Sequence, residues 1–600
     1  MQDPSFPRDQ GPKKAIALVA TVSGLSGFVI GVAYVTWHPF ITSGQVLAGL
    51  VEYPRDNPYY LYHLKIWTLL HQLGAFFLSL GVSEKTLTVL FSGLLGLISF
   101  QALSLSVLAL NGNVSLSLGT PFFVFFTEAT KFGINYPLEL LGYYHSNGTI
   151  GRGLALLAIA LLSLGKYGVG GFIMGIVPSI HAAWGGFLWL FLLLALVWDF
   201  KRFFAPFKKT VPSFLMGCAL CGASLAYHRL SQELPPADLQ SAAKIVEAYL
   251  LNGWDFHRSP VNLLSVNFIL GVFSLTIAFF GAVFLKDDVW RDTSQLFLKV
   301  LTVSGVFGAI AALLSHLPAE WTPRIFMQLM PTRALNLNIQ SLMPLLIGLL
   351  AYDKKRGRLT EYNLAGTLLA LCLVLWLHPP YWGRMMALIL FVSILLFMAE
   401  TKIAPALGKR MVQGAGERPS PKWPRGVTLV VLGLCLLGSG VKAYSVWEPR
   451  HAALRNWGND PFLAAIASGK GMLLPGVIDD PTQLLTHRPI LMGPLNALPY
   501  VPEAGPQTHK ILKEVYGLDL FNPPEEARKS KAYPDKTVKA YWESLTPAQW
   551  HEIKEKFAVT DILTYAYWKL QLPGARLSNW GENPPAELSK DQEYVYYHIP

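Results

Sequence analysis

The sequence predicts a polytopic α-helical membrane protein of about 13 transmembrane helices, closed by a C-terminal extracytoplasmic α/β domain. Three observations predict it. Of 600 residues, 52% are hydrophobic and only 14% are charged, against about 25% charged in soluble domains. The apolar residues gather in runs of membrane-crossing length, separated by short basic clusters. Beyond residue 444 the long runs stop, and charges, Pro and Asn return. A water-soluble enzyme and a disordered chain are both excluded, the second because apolar and aromatic residues are too abundant. The net charge of +11 falls in clusters between apolar runs, so it reads as topology and not as a nucleic-acid footprint. Four cysteines, Cys218, Cys221, Cys372 and Cys435, all lie inside apolar runs and exclude a disulfide framework.

The first run, Ala15 to Trp37, follows Arg8, Lys13 and Lys14 and is long enough to cross a ~30 Å hydrocarbon core. No small-residue cleavage site precedes Trp37-His38-Pro39, so this run reads as an uncleaved span. Further runs lie at 62–81, 87–110, 153–165, 168–182, 184–198, 212–230, 262–285, 295–316, 337–352, 362–378, 384–399 and 426–444. Alternation from a cytoplasmic N-terminus puts Lys85, Lys166, Lys201 with Arg202, Lys208 with Lys209, Lys286 with Arg291, Lys354 to Arg358 and the 402–425 segment on one side, as the positive-inside bias requires. The chain then divides at 444. Residues 1–444 form the spanning part, with external loops 38–61, 111–152, 229–261 and 317–336; residues 445–600 form the outer domain. Within that domain, strands are expected at 471–474, 489–492, 561–564 and 594–597, and helices capped by Asp460 and Thr546.

Ionisable residues crowd the external ends of the spans, where an unpaired charge is costly and tends to mark function. The first loop offers Glu52 and Asp56, with Pro54 and Pro58 stiffening the backbone between and after them. A carboxylate held at a membrane surface can act as general base toward a hydroxyl acceptor. The second loop carries Glu128, Glu139, His145 and Arg152, and the third ends in Trp254-Asp255-Phe256-His257-Arg258. Arg333, in Pro331-Thr332-Arg333-Ala334, and the turn from His378 to Arg384 complete the set. Arginines at an external boundary run against the orientation bias, and a guanidinium matches a phosphate with two parallel hydrogen bonds. His487-Arg488 is a candidate acceptor contact in the outer domain.

This layout, many spans with an acidic first loop and an outer C-terminal domain, resembles the GT-C superfamily of integral-membrane glycosyltransferases. The resemblance implies sugar transfer from a polyprenyl-phosphate donor to an unknown acceptor at the outer face, with inversion. Carried onto this chain, it makes Asp56 the base, with Glu52 in reserve. The lipid phosphate falls to Arg333, Arg258 and Arg384, and the sugar or acceptor to His145, Glu128, His257 and His378. It implies no resident metal or cofactor, while leaving room for a divalent cation, and a bacterial inner-membrane location. Many members carry two adjacent acids in the first loop, whereas Glu52 and Asp56 here are separated by Tyr53-Pro54-Arg55. Two other readings stand beside it: a transporter or flippase of a lipid-linked solute, and a non-catalytic membrane scaffold.

Overall fold

The computed structural model describes residues 11–128, 133–135, 138–142, 147–231, 239–252, 254, 256–284, 291–318, 321–355, 374–376, 384, 388, 425–476, 480–493, 495–530, 533–573, 576–577 and 594–600. In chain order the bundle contains α1 (Gly11–Tyr34), α2 (Pro39–Leu47), α3 (Pro58–Lys65), α4 (Leu69–Ser79), α5 (Glu84–Asn111), α6 (Val114–Thr127), α7 (Asn147–Ser163), α8 (Tyr167–Ile180) and α9 (Ala182–Trp198). It continues with α10 (Phe200–Lys208), α11 (Val211–Leu230), α12 (Leu239–Leu251), α13 (Val266–Phe284), α14 (Arg291–Leu314), α15 (Arg324–Leu329), α16 (Leu335–Lys355) and α17 (Arg425–Asn456). Among the described residues five helices are long and apolar enough to cross a membrane, Lys13–Tyr34, Glu84–Asn111, Val211–Leu230, Val266–Phe284 and Thr293–Leu314, and shorter apolar helices lie among them. This is the helical architecture of a membrane protein.

Packing between α1 and α5 fixes the direction of the chain. A Cβ on Gly27 would lie 2.3 Å from the Gly96 carbonyl oxygen, and one on Gly31 would lie 2.1 Å from that of Ser92. Only glycine lets two backbones approach so closely, and the pairs run antiparallel. The start of α5 therefore lies beside the end of α1. There Glu84 meets His487 at 2.9 Å, and Lys85 sits 5.9 Å over the Trp457 ring. At the other end of α5, Asn111 donates to the Gly348 carbonyl of α16.

Two expectations are corrected by this. The run 62–81 is not a continuous span: it breaks between α3 and α4, and the 11 residues of α4 reach only about 16 Å. Lys65 pairs with Glu503 of the C-terminal domain at 2.5 Å, so this run belongs to the domain end of the bundle, as does Lys85. The 111–152 segment, expected as one external loop, instead starts at the far end and returns to the domain end through α6, where Phe125 packs on Tyr34. Short length, Pro121 and interspersed Ser, Thr and Gly hide α6 in the sequence. The helix that carries the 426–444 run, α17, continues unbroken to Asn456.

The C-terminal domain carries α18 (Pro461–Ala467), β1 (Met472–Pro475), α19 (Asp480–Thr486), α20 (Gly505–Val515), α21 (Glu525–Ser530), α22 (Asp535–Ser544), α23 (Pro547–Phe557), β2 (Val559–Tyr565), β3 (Arg576–Leu577) and β4 (Tyr594–His598). Its sheet has the order β1-β2-β4-β3, with β1 parallel to β2 and the other pairs antiparallel. Asp460 caps α18 through the Phe462 and Leu463 amides, and Thr546 forms a capping box with Gln549 at α23, both at the positions the sequence predicts. Trp542, Trp550 and Trp568 are fully buried, with edge-to-face ring contacts at 5.4–5.5 Å.

Candidate functional site

The first loop docks the domain onto the bundle through Asn57, not through its acids. Asn57 Oδ1 accepts from the Tyr59 and Tyr60 amides at 2.8 and 3.0 Å, capping α3, while its Nδ2 donates to the Leu491 carbonyl at 2.9 Å. Tyr53 adds a bond to Gln483 Oε1 at 2.6 Å. The Pro54–Pro58 bracket holds this buried asparagine in register. Glu52, Arg55 and Asp56 point outward and are exposed. Among the described residues, no hydrogen bond or ion pair reaches the Glu52 or Asp56 carboxylate, and no contact joins them to the arginines of the later loops.

Two of those arginines, Arg258 and Arg333, do come together. Arg258 ends the 3-10 turn Phe256–Arg258, and Arg333 lies in the 3-10 turn Pro331–Ala334, which opens at Met330 with φ +48°. Arg333 stands close enough to act electrostatically on Arg258, His257 and His181. The Arg258 Nε donates to the Met327 carbonyl at 3.1 Å, and its guanidinium lies 5.4 Å over the ring of Tyr500 from the C-terminal domain. Gln328 closes this corner by donating to the Pro499 carbonyl at 3.1 Å. Asn135 brackets His257: its Nδ2 donates to the His257 carbonyl at 2.8 Å, and its own carbonyl accepts from the ring Nδ1 at 3.3 Å.

The cluster extends into the bundle. The ring of His181 accepts the Trp184 amide at the start of α9, and the residue sits against Gly151, where a Cβ would come within 2.7 Å of the histidine Cβ. The next residue, Arg152, is 1% exposed, and its Nε donates to Gln340 of α16 at 2.8 Å. At the head of α7, Asn147 Nδ2 contacts His71 Nε2 at 3.3 Å, while His71 Nδ1 donates to the Ile66 carbonyl. A band of guanidinium, imidazole and amide groups thus crosses the domain end from α4 to the α12–α13 connection.

Like charges set its electrostatics. Burial lowers the His257 pKa to about 4, the Arg333 charge pushes the same way, and the Asn135 carbonyl only partly opposes them. This imidazole is therefore neutral near pH 7. Burial also presses the Arg258 guanidinium below its ordinary value, with Arg333 adding to the effect. Arg258 and Arg333 are both half-buried, and the nearby Arg333 charge adds to the cost of charging Arg258.

The other expected site residues have different surroundings. Glu128 caps α6 with φ +53° and pairs with Lys442 at 2.7 Å, while Lys442 also donates to the Phe125 carbonyl; this is a helix-end ion pair. Arg384 is exposed, and among the described residues no hydrogen bond or ion pair joins it to the cluster. His145 and His378 lie outside the described residues. Arg488, expected as an acceptor contact, is a buried pin: it meets Asp561 at 2.8 Å and donates to the carbonyls of Ile466, Lys470 and Gly471. His487 is committed to Glu84.

Sequence reasoning missed Tyr500 and Gln340 and left Arg152 in a loop. Arg152 did carry a signal, since it is a charge at the mouth of an apolar run. No protein-family model matches the chain, and no curated protein matches its sequence significantly.

Proposed function

We propose that the chain is a membrane glycosyltransferase that moves a sugar from a polyprenyl-phosphate donor to an acceptor at the domain end of the bundle. The convergence of the half-buried Arg258 and Arg333, with the His257 and His181 imidazoles beside them, supports this reading, because neighbouring guanidinium groups suit a lipid-linked phosphate. In this reading α6 takes the place expected for 62–81, and the count of thirteen relies on the expected runs 362–378 and 384–399, which lie almost wholly outside the described residues. The domain end is extracytoplasmic and the N-terminus cytoplasmic; the far-end basic residues Lys166, Lys201, Arg202, Lys208 and Lys209 support that orientation. The membrane is a bacterial inner membrane.

The acceptor hydroxyl attacks the anomeric carbon as the bond from that carbon to the phosphate oxygen breaks. The electron pair leaves with the lipid phosphate, whose charge the two arginines neutralise. The proton passes to a first-loop carboxylate, Asp56 or in its place Glu52, and the anomeric configuration inverts. Exposure on the aqueous side leaves either acid open to an incoming acceptor. No metal is required by this scheme.

Sugar transfer from a polyprenyl-phosphate donor extract, measured in membranes carrying each variant, tests it. Arg258→Ala and Arg333→Ala are expected to lose about 100-fold in rate, the scale of one or two charge-assisted hydrogen bonds to the phosphate. Undiminished transfer by both Asp56→Asn and Glu52→Gln removes the first-loop base. Solute flux in vesicles, without transfer by the unaltered chain from any lipid donor, replaces the enzyme by a transporter.

A further inference from the structure

We propose that α10 is a docking face for anionic phospholipid headgroups at the end of the bundle opposite the C-terminal domain. The proposal is independent of the transfer reaction. The chain leaves α9 at Asp199, whose backbone (φ −140°, ψ 60°) breaks the helix, and re-enters helix as Phe200-Lys201-Arg202-Phe203-Phe204-Ala205-Pro206-Phe207-Lys208. Phe203 is buried and pins one side of the helix to the bundle. Phe200 and Phe204, one turn apart, are 51% and 39% exposed, and their rings stack with centroids 4.4 Å apart. Lys201, Lys208 and Lys209 are exposed beside them, with the Lys208 ammonium 4.6 Å over the Phe204 ring. Lys201, Phe204 and Lys208 follow at helical spacing, so aromatic and cationic groups share one exposed stripe.

The one acid on this segment is already engaged. Asp199 takes Lys299 at 2.5 Å and Arg202 at 3.6 Å. Among the described residues the stripe therefore presents cations and aromatic rings with no competing carboxylate. Exposed aromatics suit the headgroup–acyl boundary, long lysine stems carry their charge outward to the headgroups, and charge complementarity selects anionic lipids. A protein partner is the competing occupant.

Thermal unfolding of the purified full-length chain in mixed micelles tests the proposal. Phosphatidylglycerol is expected to raise the midpoint above its value in phosphatidylcholine. The combined Lys201→Gln, Lys208→Gln and Lys209→Gln variant should lose most of that shift while keeping its midpoint in phosphatidylcholine, and the corresponding arginine variant should retain the shift. Phe200→Ser with Phe204→Ser should reduce it too. An undiminished phosphatidylglycerol shift in the glutamine variant overturns the proposal. So does an equal shift produced by soluble glycerol phosphate, or co-purified lipid equally anionic in the glutamine variant and the unaltered chain when read by native mass spectrometry.

Discussion

Two arginine sites, one in each half of the molecule, treat their charge in opposite ways. In the C-terminal domain, Arg488 is buried against Asp561, and Asp561 in turn accepts from His598 at 2.8 Å and from Thr560 at 2.6 Å. Every nitrogen of that guanidinium has an oxygen partner, and together they tie β1, β2, β4 and α18 into one unit. At the domain end of the bundle, Arg258 lies instead beside Arg333 and two histidines. The first arrangement satisfies its charges and holds a fold. The second brings two guanidinium groups and two imidazoles together at the meeting of several connections. The same residue type, equally legible in the sequence, thus holds a fold in one place and is proposed to bind a ligand in the other.

The largest expected effect separates the two at once. Arg488→Ala leaves Asp561 buried without its partner and should destabilise the domain by about 3–5 kcal/mol, read from the unfolding midpoint by tryptophan fluorescence. Arg258→Ala gives up a bond to the Met327 carbonyl and the contact with the Tyr500 ring and should lower that midpoint by much less, while weakening binding of an isoprenyl phosphate.

Acid should split the sites by pH. His257 is held at about 4 in the fold against 6.5 ordinarily, so its contribution to stability is complete above pH 6.5 and is lost as pH falls toward 4, where the unfolded chain binds the extra proton. His257→Gln should flatten that part of the profile. Burial alone would raise the Asp561 carboxyl, but hydrogen bonds from Thr560, His598 and Arg488 outweigh it and hold the pKa below 3.8. Its contribution therefore persists through the histidine window and is lost only at lower pH, as the carboxylate is protonated. A single unfolding transition that moves identically with pH in the wild type and in His257→Gln would dissolve the distinction.

Smaller effects sharpen the reading of the first loop. Asn57→Ala removes a helix cap and a bond to Leu491 and should cost about 1–2 kcal/mol. Asp56→Asn, one residue away and exposed, should shift stability by less than about 0.5 kcal/mol, so any loss of transfer in that variant reflects chemistry.

Hydropathy made the helical bundle legible, and turn and capping residues such as Asp460 and Thr546 made much of the C-terminal domain legible. The start of the run 62–81 misled because residues covered by another domain are as apolar as residues covered by lipid: Tyr62 and Ile66 pack against Val501 and Ala504 of the C-terminal domain. Asp56 drew attention as a carboxylate beside two prolines, but a one-residue choice of which side chain turns inward, here Asn57, is made by tertiary contacts hundreds of positions away. The candidate phosphate site was half legible. Arg258 and Arg333 each looked out of place at a span end, yet their meeting, and the Tyr500 ring beneath Arg258, depend on how three connections and a separate domain pack.

The most direct measurement is titration of the detergent-solubilised full-length chain with a short-chain isoprenyl phosphate, with Arg258→Ala, Arg333→Ala and Arg488→Lys in parallel. Saturable binding that weakens by at least about tenfold in the first two variants and is kept in the third is the expected result. Equal affinity across all the proteins, or none in the unaltered chain, would contradict an anion site built from those two arginines.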